Sequence, residues 1–164
     1  MNYKIEKAKI EDVDNIFRLY IERMQWFKDN NIEQWTRYIQ NHPIEEFIKV
    51  INNKEYYIVK NNEEIIGGFQ VTNKLEEWKN DSKKAIYICK IVTKVGYKNI
   101  GEVIFNKCKN IAREKGKRYL RLCCIKSNER LNKIYENHNF KLVGYGKNEI
   151  YAYALRQMDI EERG

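Results

Sequence analysis

The stretch Ile86–Phe140 constrains this chain more than any other, because it alternates strand, turn, helix, strand and helix without a break. β-formers fill Ala85–Thr93, and Ile86, Ile88, Ile91 and Val92 mark it as a central strand. Lys94–Gly101 interrupts that pattern. Glu102–Lys115 then carries Ile104, Phe105, Cys108, Ile111 and Ala112 at helical spacing, and Gly116 is placed to cap the end. Arg118–Ile125 returns to strand composition, so the two strands are expected to lie parallel across a right-handed crossover. Ser127 or Asn128 caps a shorter helix that stops by Asn137–Asn139. The first amides of a helix lack intrahelical partners, and the macrodipole adds partial positive charge there. A strand feeding a glycine-containing turn into such a helix start suits a phosphate. Lys98–Glu102 is therefore expected to hold a pyrophosphate.

The flanking sequence supplies further strands and helices. Tyr3–Ala8 reads as a first strand, and Ile10–Asn30 as a helix with one broad apolar face. Ile32–Trp35 reads as a connection, and Pro43 suits the first turn of a second helix that runs to Ile51. Lys54–Lys60 and Glu63–Thr72 flank Asn61-Asn62 as a hairpin. Gly67-Gly68 inside its second strand predicts a bulge or a close backbone approach. Lys74–Lys84 is polar and reads as a loop despite Trp78. Phe140–Gly146 and Glu149–Met158 form a last hairpin. With no repeat, linker or low-complexity tract, the expectation is one domain over 1–164. An exposed edge strand near the C-terminus offers a place for a second copy to pair as a homodimer.

Composition narrows the function classes. Twelve Tyr, six Phe and three Trp are enough to build a core and argue against global disorder. No apolar run approaches a membrane span, and the N-terminal residues lack the apolar core of a signal peptide, so the expected location is cytoplasmic, with no membrane partner. Cys89, Cys108, Cys123 and Cys124 show no metal-ligand spacing and are expected to be reduced, with no metal site. The net charge of +8 favours an anionic ligand. Nucleic acid ranks low, because charge is not blocked and aromatics do not interleave with lysines on one strand face.

The late part of the block resembles the GNAT superfamily of acetyl-CoA-dependent N-acetyltransferases. That family's motif, N-x-x-A-x-x-[LF]-Y-x-x-x-G-F, is similar to Asn128-Glu-Arg-Leu131-Asn-Lys-Ile134-Tyr135-Glu-Asn-His-Asn139-Phe140. Asn128, Tyr135 and Phe140 match in type and spacing. Leu131 replaces a small residue, and Asn139 replaces a glycine whose left-handed backbone asparagine tolerates. The family's pyrophosphate loop, [QR]-x-x-G-x-[GA], falls on Gly96–Gly101. Only Gly101 matches, and Asn99 stands where the first glycine belongs.

The resemblance implies an α/β (α+β) fold: a mixed, mostly antiparallel sheet of about seven strands with about four helices. It implies acetyl-CoA as acyl donor and a small-molecule or peptide primary amine as acceptor. Tyr135 would protonate the departing thiolate, and Asn128 would contact the pantetheine arm. Ile91, Val92 and Thr93 would run beside that arm, with a strand amide in Cys89–Val92 polarising the thioester carbonyl. Amides at Lys98, Asn99, Ile100, Gly101 and Glu102 would line the diphosphate. The acceptor would meet Trp26, Gln34 and Trp35, similar to a Trp…Gln-Trp pattern in a bacterial subgroup. Ala85–Thr93 offers no carboxylate as general base, which leaves Glu33, Tyr57 and Tyr87, water, or an acceptor of low pKa. Two other functions compete with a transferase. One is a non-catalytic acyl-CoA-binding domain, suggested by the altered glycine loop. The other is a nucleic-acid module, suggested by net charge alone.

Overall fold

The structure is a computed structural model that describes residues 2–32 and 42–161. Its elements follow the expected order. They are β1 (Lys4–Lys7), α1 (Val13–Asp29), α2 (Ile44–Asn52), β2 (Tyr56–Asn61), β3 (Glu64–Thr72), β4 (Ala85–Thr93), α3 (Ile100–Glu114), β5 (Tyr119–Ile125), α4 (Glu129–Asn137), β6 (Lys141–Lys147) and β7 (Ala152–Asp159). The seven strands form one sheet in the order β1-β2-β3-β4-β5-β7-β6. β4 and β5 pair in parallel, with Ala85 opposite Tyr119 and Tyr87 opposite Arg121. The β1/β2, β2/β3, β5/β7 and β6/β7 pairs are antiparallel. The chain gathers into two compact units: the chain up to Val71 with Lys90–Phe105, and Thr72–Cys89 with the chain from Asn106 on.

In the first unit, α1 presents Ile16, Leu19 and Tyr20, and α2 presents Phe47, Val50 and Ile51. The spacing of three and four puts each set on one helix face, and both faces close over Tyr56, Ile58 and Val92. Full burial of such side chains stabilises by about 1.5–3 kcal/mol each. α1 starts after a single turn of 3-10 helix, Ile10–Asp12, where the Lys9 amide donates to the Asp12 carboxylate at 2.8 Å.

The β2/β3 hairpin turns at Asn62, whose φ of 56° is left-handed. Its ladder steps from Val59–Gly67 to Lys60–Ile65, so Ile66 is the extra residue of a bulge. Gly68 supplies the close approach: a Cβ there would lie 2.2 Å from the Tyr56 hydroxyl. Tyr56 is 1% exposed and cannot swing away. Gly68→Ala is expected to destabilise the protein by about 1–3 kcal/mol in chemical denaturation, through overpacking.

In the second unit, Leu120, Leu122 and Cys124 of β5 are buried with Cys108, Ile111 and Ala112 of α3 and Ala154 and Met158 of β7. The segment before β4 is not a loose loop. Trp78 is buried, and its indole N–H donates to the Leu122 carbonyl at 3.1 Å. Arg121, 1% exposed, stacks 4.4 Å from the centre of that indole. It forms a fork with Asp81 at 3.1 and 2.8 Å. It also donates to Tyr87 at 2.9 Å and to Gln157 at 2.8 Å. An acid partner for Arg121 is expected from its charge; its near-complete burial is not. The fork holds the Asp81 carboxyl below the usual range.

Candidate functional site

The first unit holds the second half of β4 and the turn into α3. Within β4, Lys90 adopts φ 55°, a left-handed conformation in the middle of a strand. Beyond it, Val92 is 2% exposed and belongs to the core, while Ile91 and Thr93 are half-buried. Thr93 is gripped from α1. Arg23 donates through Nε to its carbonyl at 3.0 Å and through Nη2 to its hydroxyl at 3.0 Å.

The turn that follows is pinned at three points. Lys94 pairs with Glu64 at 2.9 Å, the Tyr97 hydroxyl donates to the other Glu64 oxygen at 2.9 Å, and Tyr3 donates to the Lys98 carbonyl at 2.9 Å. Lys94, then Tyr97, holds the Glu64 carboxyl below its usual range. The charge of Lys94 is therefore matched by Glu64. Asn99 then takes φ 65°, the backbone of the glycine it replaces, and α3 begins at Ile100, ahead of the expected start at Glu102. The earlier start follows from Ile100, which is 2% exposed and anchors the first turn inside the core. The first intrahelical bond runs from the Val103 amide to Asn99 at 3.3 Å. The amides of Ile100, Gly101 and Glu102 thus occupy the positive end of α3.

Gly101 has no steric duty within the fold. A Cβ there would meet only Phe105, at 3.9 Å, and its φ is not left-handed.

A pocket of about 260 Å³ opens between α1 and the end of β4, lined by Leu19, Glu22, Arg23, Trp26, Thr93 and Lys94 among others. Trp26 forms part of its wall, with the Arg23 guanidinium 4.9 Å from its ring centre. Gln34, Trp35 and Glu33 lie outside the described residues. Tyr57 stacks on Phe69 with centroids 5.3 Å apart.

The second unit holds α4. Asn128 is its N-cap and accepts from the Leu131 amide at 3.0 Å, so its side-chain oxygen is committed to the helix start. Asn132, one turn on, ties that start to β5 and β7. Its amide donates to the carbonyls of Ile125 at 3.1 Å and Asn128 at 2.9 Å, and its oxygen accepts from Arg156 at 3.0 Å and Cys124 at 3.2 Å. Arg156, 6% exposed, reaches the Phe140 carbonyl at 2.9 Å, and the Phe140 amide donates to Tyr135 at 3.0 Å. Both ends of α4 are therefore fixed to the same arginine. Asn139 closes the helix with φ 69°, as its replacement of glycine requires. Burial raises the Cys124 thiol to about 11 and keeps it a donor.

Tyr135 is 7% exposed and meets Phe140 edge-on at 6.0 Å. Burial, then the nearby Cys124 and Cys123 thiols, pushes its phenol well above the ordinary range. Tyr87 is buried, and its hydroxyl accepts from Arg121.

Sequence reasoning misses Asn132, Arg156 and Tyr20. The only signal for Arg156 is its place between Ala154 and Met158, in phase with the inward face of β7. Among the described residues, no group of three or more His, Cys, Asp or Glu is placed to hold a metal ion, and no helix is long and apolar enough to cross a membrane.

Residues 18–140 match the model of the acetyltransferase (GNAT) family. No curated protein matches the chain in sequence. Solved structures match its fold across nearly their whole length. A GNAT-family acetyltransferase from Listeria monocytogenes is 21% identical, with a TM-score of 0.79, covering 96% of this chain and 94% of its own. The PaiA N-acetyltransferase from Thermoplasma acidophilum, solved in complex with coenzyme A, is 16% identical, with a TM-score of 0.75 and coverage of 97% and 99%. An N-acetyltransferase from Staphylococcus aureus is 22% identical, with a TM-score of 0.70 and coverage of 98% and 99%. At these identities the structural likeness speaks to the fold alone.

Proposed function

The chain belongs to the acetyltransferase (GNAT) family, and from that premise we propose that it moves an acetyl group from acetyl-CoA to a primary amine of a small molecule or peptide. Gly101 carries this proposal. Glycine costs a helix interior about 0.5–1 kcal/mol relative to alanine and a first-turn position such as Gly101 less, and no neighbour in the fold asks for glycine there. A ligand approaching the α3 backbone does ask for it. The left-handed Asn99 supplies the turn that aims those amides. Amides of Lys98, Asn99, Ile100, Gly101 and Glu102 would hold the diphosphate. Ile91, Val92 and Thr93 would flank the pantetheine arm by backbone contact, and Asn128 would meet it near the start of α4.

The amine nitrogen attacks the thioester carbonyl carbon, whose oxygen is polarised by a strand amide in Cys89–Val92. The carbon–sulfur bond breaks, and Tyr135 donates its proton, first as a hydrogen bond to the sulfur as charge develops there. The amine loses its proton to solvent, a proton from solvent restores the Tyr135 phenol, and the products are an N-acetyl amide and free CoA thiol. Orientation of amine and thioester can supply roughly 7–11 kcal/mol of the barrier reduction. Trp26 would form part of the acceptor wall, with Gln34 and Trp35 contributing from the segment that follows α1.

A thiol-release assay over a panel of amines and peptides, run beside calorimetric titration with acetyl-CoA, tests this function. Release on at least one amine is the expected result. Binding without release on any amine would favour a non-catalytic acyl-CoA-binding domain. Gly101→Ala is expected to raise thermal stability slightly and to weaken acetyl-CoA about tenfold, or ~1.4 kcal/mol. Unchanged affinity would free the α3 start from any role in cofactor binding.

A further inference from the structure

Lys90 stands in the middle of β4 with φ 55°, a conformation that L side chains other than asparagine and aspartate rarely adopt. Such an outlier persists only where surrounding structure enforces it. The enforcement comes from two buried tyrosines. Tyr20 on α1 is 0% exposed and Tyr56 on β2 is 1% exposed. The Tyr20 hydroxyl donates to the Lys90 carbonyl. Its oxygen lies 2.6 Å from the Tyr56 hydroxyl. Tyr20 has one proton and spends it on the carbonyl, so Tyr56 is the donor of the second bond. The relay is held in place by shape. Phe47 packs against both rings, at 4.8 Å from Tyr20 and 6.1 Å from Tyr56. Gly68 leaves the space that the Tyr56 hydroxyl fills. One turn further along α1, Arg23 takes the Thr93 carbonyl. Helix α1 thus grips β4 by its carbonyls on both sides of Ile91 and Val92.

The geometry points to Tyr20, backed by Tyr56, as a positioning residue of the transfer reaction: it holds the Lys90 carbonyl so that β4 keeps its left-handed step beside the amides of Cys89–Val92. The inference rests on the acetyltransferase function proposed above, in which those amides polarise the thioester. The tyrosines are too deeply buried to touch a substrate, and they act through the strand. Loss of the Tyr20 hydroxyl lets Lys90 relax toward extended backbone, which re-aims the amides that follow without removing any of them.

The test is a rescue. Tyr20→Phe keeps the ring and deletes the bond to Lys90. Lys90→Gly makes the left-handed step free of strain, so the strand can hold it without help. kcat and KM for acetyl-CoA are measured on the wild type, on each single variant and on the double variant, with a thermal melt and CoA titration for each. Tyr20→Phe is expected to lower kcat about tenfold or more, since small misplacements at a reacting centre can cost up to about 10²-fold. KM for acetyl-CoA should stay within about threefold, the signature of an effect confined to the transition state. Lys90→Gly alone loses the Lys90–Glu46 contact at 3.4 Å, and its own kcat is the reference against which the double variant is read. The double variant should return to the level of Lys90→Gly. Tyr56→Phe, which leaves the Tyr20–Lys90 bond in place, should lose less than Tyr20→Phe. Should Tyr20→Phe alone not fold, its pairing with Lys90→Gly and the Tyr56→Phe variant carry the comparison.

An unchanged kcat in Tyr20→Phe overturns the positioning role while leaving the acetyltransferase function standing. A loss that Lys90→Gly does not restore overturns it too, because the tyrosine would then act only through general packing. A wild type that releases no thiol with any amine removes the acetyltransferase function itself, and the positioning role with it.

Discussion

Tyr135→Phe is expected to lower turnover by about two orders of magnitude or more, the usual range for loss of a positioned proton donor, and to leave acetyl-CoA binding close to that of the wild type. The substitution removes one oxygen and keeps the ring. The edge-on contact with Phe140 at 6.0 Å and the backbone bond from the Phe140 amide survive, so the change reports on the proton and not on the fold. Single-turnover thiol release with saturating acetyl-CoA is the direct measurement. Turnover equal to the wild type would take Tyr135 out of the chemistry. The pH profile adds a second check. A donor works while protonated, and burial pushes this phenol above its ordinary value of about 10. The active form therefore persists through neutral and mildly alkaline pH. Tyr135 should contribute no loss of kcat as pH rises from 7 towards that ordinary value. A tyrosine-dependent fall below it, abolished in Tyr135→Phe, would mean an exposed and unperturbed phenol.

Arg121→Ala has the largest expected effect on stability. The guanidinium is 1% exposed and satisfies Asp81, Tyr87 and Gln157 at once while stacking on Trp78. Truncation strips the Tyr87 hydroxyl and the Gln157 carbonyl of their donor and opens a cavity under the indole. Breaking a buried ion pair costs about 3–5 kcal/mol, and the open side of Asp81 places this one near 3 kcal/mol. Chemical denaturation followed by Trp fluorescence gives the number, and a loss below about 1 kcal/mol would reduce the cluster to surface decoration. The same pair sets an acid dependence. Asp81 is held below its usual range by Arg121, so its contribution is complete above the unfolded value of about 3.9 and fades as pH falls through the lower folded value. The Arg121→Ala variant should lose that part of the acid dependence.

The parts of this chain that could be read in advance are those whose residue types advertise their backbone. Asn139 in place of a glycine predicts a left-handed residue, and φ is 69°. Gly67-Gly68 predicts a bulge or a close approach, and both occur. Apolar spacing locates α1 and α3, although not where they start. The 3-10 turn before α1 is set by the local Lys9–Asp12 cap, and the early start of α3 by the burial of Ile100 in the core. Other features are silent in sequence because they run against type. Lysine carries no preference for the left-handed step that Lys90 makes. Arg121 and Arg156 sit in phase with apolar neighbours, yet an isolated arginine in a strand is more often on the surface. Their burial becomes reasonable only once Asp81, Asn132 and the Phe140 carbonyl are known to converge on them. Trp78 in a polar segment is the one visible hint that Lys74–Lys84 is pinned to the sheet.

Asparagine does glycine's work repeatedly in this protein. Asn31, Asn62, Asn99 and Asn139 all take left-handed backbone that glycine would adopt without strain. The exchange matters most in the denatured chain. Glycine roams the widest range of backbone conformations there and loses the most entropy on folding, whereas asparagine enters the same turn from a narrower ensemble. Each such site trades a little local strain in the native state for roughly 0.4–1 kcal/mol less disorder to be overcome, the range typical of removing a glycine where the new residue fits. At Asn99 the consequence would reach the proposed cofactor: a turn that arrives with fewer alternatives would leave less freedom to be frozen if the diphosphate settles on the α3 start as proposed.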